Sequence, residues 1–226
     1  MYFTNRTEAG KQLAEKLLKY KGNKCTLVAL SDGAVVIAAQ AAALLECPIT
    51  MLLTEAIHAP GEPEAVANIN QDGGFGYNSY YSSGQIDEYN MEYHQLFEQK
   101  KLEKLSKMHR LLGRMGVINR SLLKGHTVIL IADGLGDNST IDSAMLYLKS
   151  IKIKQLIIAT PFASVNVVDK MHLMADEIAC LNVIQNFMGT NHYYEDNLIP
   201  PHDVIIQTVQ EMVKNWQEPK PARPIP

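Results

Sequence analysis

The segment Val128-Ile-Leu-Ile-Ala-Asp-Gly-Leu-Gly-Asp-Asn-Ser-Thr140 constrains this chain more than any other. An uninterrupted aliphatic run reads as a strand buried on both faces, the habit of parallel sheets covered by helices. It leads into an acidic, glycine-containing loop and then a helical pattern. Asp133, Gly134 and the hydroxyls of Ser139 and Thr140 are thereby placed at the carboxyl end of a parallel strand, where open α/β sheets bind ligands.

Other segments repeat the motif. Thr4 to Glu8 offers capping residues before a helix over about residues 7–20, which Gly22 ends. Thr26 to Leu30 is a short strand, Ser31-Asp32-Gly33 a turn, and Val35 to Leu45 an Ala-rich helix. Ile49 to Thr54 reads as the next strand. Strands Thr127 to Ala132, Gln155 to Thr160 and Glu177 to Leu181 alternate with helices Thr140 to Lys149 and Val165 to Met174. Such alternation predicts a parallel, doubly wound sheet.

The run is interrupted once. Ala59 to Glu64 is too rich in Pro and Gly for helix interior. Residues 65–84 suggest hairpin or loop, and about 86–113 form a long amphipathic helix marked by Tyr89, Tyr93, Leu96, Leu105, Met108 and Leu112. The expected organisation is one domain over 1–216 with an inserted loop and helical subdomain at about 65–120. A helix follows Pro200-Pro201, and residues 217–226 form a flexible Pro-rich tail.

The 226 residues suffice for a self-contained core, and a formal net charge of -3 gives no electrostatic case for nucleic acid or an anionic membrane. No segment approaches 18 uninterrupted apolar residues, and the N-terminus lacks a signal-peptide pattern. Cys25, Cys47 and Cys180 are odd in number and lie among apolar neighbours, as reduced core thiols do. A cytoplasmic protein with a small-molecule ligand is expected. The seven histidines show no zinc-ligand spacing, and Gly73-Gly-Phe-Gly76, with no preceding strand or P-loop Lys, reads as loop geometry.

The order and spacing of several segments resemble the type I phosphoribosyltransferases, within them a group of stand-alone bacterial proteins of this length. The segments are Phe3 to Gly10, Ser31 to Ala34, Ala59 to Glu64, Val128 to Thr140, Ala159-Thr-Pro161, Ala175-Asp-Glu177 and Tyr193 to Asp196. The resemblance implies a homodimer that uses Mg2+ and 5-phosphoribosyl 1-pyrophosphate (PRPP), transferring phosphoribosyl to an acceptor nitrogen. Two acids at a strand end would hold the ribose hydroxyls, and the next turn would hold the 5-phosphate at a helix N-terminus. A separate loop would contact pyrophosphate.

Where those contacts are expected, this sequence departs from the pattern. The paired acids read Ala132-Asp133. The phosphate turn reads Gly136-Asp137-Asn138-Ser139-Thr140, with an acid in place of a hydroxyl. The pyrophosphate loop reads Ser31-Asp32-Gly33-Ala34, with Asp32 in place of Arg, and an Arg-Lys pair after the second strand is replaced by Glu55-Ala56. A carboxylate about 4 Å from a phosphate charge costs on the order of 4 kcal/mol at an effective dielectric near 20, roughly a thousandfold in affinity. Two readings follow: a binding or regulatory protein that has lost efficient PRPP-dependent transfer, or an active Mg-dependent phosphoribosyltransferase with an unknown nitrogenous acceptor. Asp32 and Asp137 could equally make a site for a cation or metal, or be solvated acids on a surface no longer used. No catalytic residue stands out.

Overall fold

The computed structural model describes residues 2–62, 64–78, 80–112 and 120–217. Five strands make a parallel sheet: β1 (Cys25–Ala29), β2 (Ile49–Met51), β6 (Thr127–Ile131), β7 (Gln155–Ser164) and β8 (Glu177–Ile184), in the order β2-β1-β6-β7-β8. Three more, β3 (Thr54–Ile57), β4 (Ala67–Asn70) and β5 (Phe75–Tyr77), make an antiparallel sheet. The helices are α1 (Arg6–Lys16), α2 (Asp32–Leu45), α3 (Ser83–Leu112), α4 (Ser139–Leu148), α5 (Val165–Met174) and α6 (His202–Gln217).

Strand alternation divides the parallel sheet into two apolar layers. Leu27, Ala29, Ile129, Ile131 and Ile157 face one way and pack with α1, α2 and α6. Val28, Val128, Leu130 and Ile158 face the other way and pack with α4 and α5. Because β2 lies on one side of β1 and β6 on the other, the chain reverses direction between β1 and β6. A crevice opens at their carboxyl ends.

Several boundaries differ from expectation for identifiable reasons. Ile49 to Thr54 is not one strand. Leu52 still donates to the Ala29 carbonyl at 2.9 Å, but the Leu53 amide turns to the Gln71 side chain at 2.9 Å, and the chain crosses into the second sheet. Strand β7 continues through Pro161, past the predicted end at Thr160. The β6 ladder stops at Ala159, so a residue without an N–H costs no bond on that side. The α1 helix ends at Lys16 and a 3-10 turn, Leu18–Tyr20, completes the predicted span.

The inserted region is more than loop and helix, since the β3-β4-β5 sheet begins before residue 65. In its β4–β5 turn Asn70 Oδ1 accepts from the Asp72 and Gly74 amides at 3.1 and 2.9 Å, giving Gly73-Gly74 a turn role. Ser82 and Gln85 form a reciprocal capping box that starts α3: the Gln85 amide meets Ser82 Oγ at 3.4 Å and the Ser82 amide meets Gln85 Oε1 at 3.0 Å. The helix is kinked at Tyr93, whose φ of -117° leaves the helical region. The predicted helix end at 113 lies outside the described residues, as does the predicted tail at 217–226 except for Gln217, which belongs to α6.

α1 presses on α2 at Gly10, where an added Cβ would stand 3.0 Å from the Ile37 backbone, whereas nothing lies within 4 Å of a Cβ at Gly84 in α3. Gly10→Ala is expected to destabilise the protein by about 1–3 kcal/mol by overpacking, and Gly84→Ala to be neutral or to stabilise by up to about 1 kcal/mol. Urea unfolding of both variants checks the contrast.

Candidate active site

Continuing the β1–β6 register two residues past Ala29↔Ile131 brings Ser31 beside Asp133, over the carboxyl edge of the sheet. Ser31 Oγ donates to Asp133 Oδ1 at 2.7 Å and also accepts from the Ala34 amide at 2.9 Å, capping α2. The other Asp133 oxygen, Oδ2, receives Arg6 Nε at 2.8 Å. Both partners are buried, Arg6 at 2% and Asp133 at 8% relative exposure.

Arg6 stands at the first position of α1, behind the Asn5 cap. A cation there opposes the helix dipole, so its placement needs another source of stability. That source is Asp133, together with Asn191 Oδ1 at 2.7 Å from Nη2 and the Tyr194 ring, whose centre lies 4.4 Å from the guanidinium. Tyr194 also donates to the Asp133 carbonyl at 2.6 Å, and burial, reinforced by the Asp133 charge, pushes its phenol pKa up. Arg6 Nη1 is buried and has no partner among the described residues.

A cavity of about 440 Å³ opens over this pair, lined by Arg6, Ser31, Asp32, Gly33 and Asp133, by Met188 to His192 and by Ile199. Asp32 lies in the first turn of α2, and both of its oxygens are 2.8 Å from Nδ1 of His202, the residue that opens α6. Gly33 is forced by packing: a Cβ there would fall 2.0 Å from Asp133 Oδ2 and 2.5 Å from Arg6 Nε. Ala34 is fully buried behind it.

The other predicted positions lie elsewhere. Ala132 is buried in the layer under α4 and α5, facing away from Asp133. Aromatic rings lie against Gly134 and Gly136, while Gly136 and Asp137 themselves are exposed. A Cβ on Gly134 would meet Phe162 at 2.4 Å, and one on Gly136 would meet Phe187 at 2.6 Å. Asp137 accepts from the Ser139 amide at 2.7 Å and from the Ser139 hydroxyl, and so caps α4. With Gly136 and Asn138 it lines a separate cavity of about 190 Å³ shared with Asn78, Tyr80 and Asn166. Thr140, half-buried, follows Ser139 in the first turn of α4.

Glu55 and Ala56 sit on β3 and line neither cavity. Burial works against the Glu55 carboxylate, but Lys107 at 2.7 Å and Lys104 at 2.9 Å outweigh it and hold its pKa below the usual value. The acids expected to crowd one polyanion site are therefore dispersed. Asp32 and Asp133 share a cavity, Asp137 belongs to another, and Glu55 is neutralised by α3. The sequence reading placed Arg6 within a family segment without giving it a role, and it missed Asn191. A basic residue in the first turn of a capped helix was the available signal.

Among the described residues no group of three or more His, Cys, Asp or Glu could hold a metal ion. Asp133, the acid expected to hold ribose hydroxyls, already carries a guanidinium. These side chains alone do not build a divalent-cation site. Nor, among the described residues, is any helix long and apolar enough to cross a membrane.

The parallel order, the switch-point crevice and the Asp-Gly loop after β6 define an α/β protein with a cavity at its strand ends. Residues 4–194 match the phosphoribosyl transferase domain, and the chain belongs to that family. It is 24% identical over 218 residues to two Mycobacterium tuberculosis proteins, each named "Putative phosphoribosyl transferase" (Rv0571c and MT0597), covering 96% of this chain and 48% of theirs. The chain thus spans about half the length of these curated relatives. The crystal structure of TT1426 from Thermus thermophilus superposes with a TM-score of 0.72 at 23% identity, covering 94% of this chain and 99% of that one, and shows the same fold.

Two outcomes are expected. Gly33→Ala must displace the Arg6–Asp133 pair and lower stability by about 1–3 kcal/mol, measured by denaturant unfolding. Because the folded Glu55 pKa is depressed, its stabilisation is fully present above the ordinary carboxylate value of 4.5 and is lost as pH falls through the lower folded value. Wild type should therefore exceed Glu55→Gln in melting temperature at pH 7, with the gap closing as the solution is acidified below that value.

Proposed function

We propose that this phosphoribosyltransferase-fold protein binds a small molecule at the β1–β6 crevice and acts as a binding or regulatory protein, having lost efficient PRPP-dependent transfer. One observation carries the reading: the single acid left at the β6 strand end has one oxygen on Arg6 and the other on Ser31. An acid that is to grip ribose hydroxyls needs acceptor sites directed at the ligand, and Arg6 and Ser31 take about half of those on Asp133. Here, freeing it would leave a buried Arg without its counter-ion, at a cost of about 3–5 kcal/mol.

Further support comes from the turn after Asp133. Phe162 and Phe187 lie against Gly134 and Gly136, and Asp137 takes one of the first-turn amides of α4, that of Ser139, and brings negative charge to the helix start. Asp32, in the place of the expected loop arginine, brings negative charge to the cavity where pyrophosphate would bind. Family membership and the Ser139 and Thr140 hydroxyls at α4 favour the alternative, an active Mg-dependent enzyme transferring 5-phosphoribosyl to an unknown nitrogenous acceptor in nucleotide metabolism. In either case we expect a cytoplasmic homodimer. The exposed Met91 and Leu102 on α3, at 87% and 70%, suit a subunit contact.

Calorimetric titration with PRPP and Mg2+ separates the two readings. The expected result is no sub-millimolar binding and no release of pyrophosphate with nucleobase acceptors. Sub-millimolar binding accompanied by pyrophosphate release would overturn the proposal.

A further inference from the structure

We propose that Cys25 and Cys47 form a reversible dithiol–disulfide pair, a modification site for hydroperoxides whose oxidation fastens the edge strand β2 to β1. The proposal stands apart from the crevice and from either reading of it. Its first support is register. Leu27 pairs with Ile49, and the Leu27 amide donates to the Pro48 carbonyl at 2.9 Å, so continuing the parallel ladder two residues back sets Cys25 opposite Cys47. A step of two residues keeps both side chains on one face, and both lie in the apolar layer that packs with α1 and α2. Neighbouring strands stand about 4.8 Å apart, inside the roughly 4.4–6.8 Å between Cα atoms that a disulfide spans.

The second support is the contact itself. Both thiols are free, both residues are buried, at 2% and 5% exposure, and the two side chains hydrogen-bond to each other. The bond from Cys47 holds the Cys25 thiol below the usual thiol value against the opposing effect of burial, while the same bond and burial push Cys47 up. Cys25 is therefore the nucleophilic member and Cys47 the resolving one. Strand β2 is three residues long and lies at the sheet edge, with β1 its only ladder partner among the described residues, so local fraying admits a molecule as small as hydrogen peroxide. The Cys25 sulfur attacks one peroxide oxygen, the O–O bond breaks, and the departing hydroxide takes the thiol proton to leave as water, giving a sulfenic acid. The Cys47 sulfur then attacks the sulfenic sulfur, the S–O bond breaks, and a second water carries off the Cys47 proton. Two thiols are oxidised to one disulfide, and one peroxide is reduced to two waters. The ring so closed contains β1, the Ser31–Ala34 loop and all of α2, so the bond braces the unit that supplies Ser31, Asp32 and Gly33 to the crevice.

The test is treatment of the full, reduced chain with hydrogen peroxide, followed by peptide mass spectrometry and a melting curve. The expected product is one intramolecular Cys25–Cys47 disulfide, two hydrogens lighter than the starting chain, that dithiothreitol reverses and that raises the melting temperature by about 5 °C. Cys180 lies on β8 at the opposite edge of the sheet and should take no part, so Cys180→Ser should give the same product. Cys47→Ala should leave a sulfenic acid at Cys25 that dimedone traps. Three thiols that stay reduced in the folded chain while the urea-unfolded chain oxidises, a disulfide that includes Cys180, or sulfinic acid formed without the Cys25–Cys47 bond would each overturn the proposal. A melting temperature lowered by the bond would overturn it as well.

Discussion

The buried ion pair between Arg6 and Asp133 holds together parts of the chain that lie far apart in sequence. Through it the start of α1, the loop after β6 and the segment before α6 meet over the carboxyl edge of the sheet. Phe3 donates to the Tyr193 carbonyl at 3.0 Å and Glu195 donates to the Phe3 carbonyl at 3.0 Å, so the N-terminus and the 193–195 segment run side by side. Tyr194 completes the enclosure by bonding the Asp133 carbonyl and stacking on Arg6. Desolvating two charges is expensive, and Ser31 on Asp133 and Asn191 on Arg6 offset part of that cost, although Arg6 Nη1 has no partner among the described residues.

That arrangement changes the electrostatic meaning of the crevice. An exposed strand-end carboxylate facing a polyanion would repel it and would await a metal or hydroxyls. A carboxylate already bound to a guanidinium is nearly neutral at a distance, and Arg6 and Ser31 occupy about half of the acceptor sites of Asp133. The Asp32 carboxylate lines the same cavity and is held by His202. Other acids that looked alike in sequence have separate uses: Asp137 caps a helix and Glu55 ties β3 to α3.

The parallel sheet was legible in the sequence because aliphatic runs of strand length, each ending at a small or polar turn, allow few other structures. The switch-point loop was legible for the same reason, and α5 runs over the predicted residues, Val165–Met174. The β3-β4-β5 sheet was harder to read because its strands are only three or four residues long and its turn residues resemble loop. The ion pair was not legible. Its partners are 127 positions apart, and only the fold brings them together. Charges counted along a chain say nothing of their counter-ions, which is why Glu55 read as a threat to a ligand when Lys104 and Lys107 neutralise it.

A double-mutant cycle between Arg6→Met and Asp133→Asn, followed by equilibrium unfolding, tests most directly whether the strand-end acid is committed to the interior. Each single variant should lose about 3–5 kcal/mol, because each strands a buried charge, and the double variant should recover much of that loss, giving a coupling of about 3 kcal/mol or more. Additive losses within about 0.5 kcal/mol would mean that the two side chains act independently, and that Asp133 is free to serve a ligand after all.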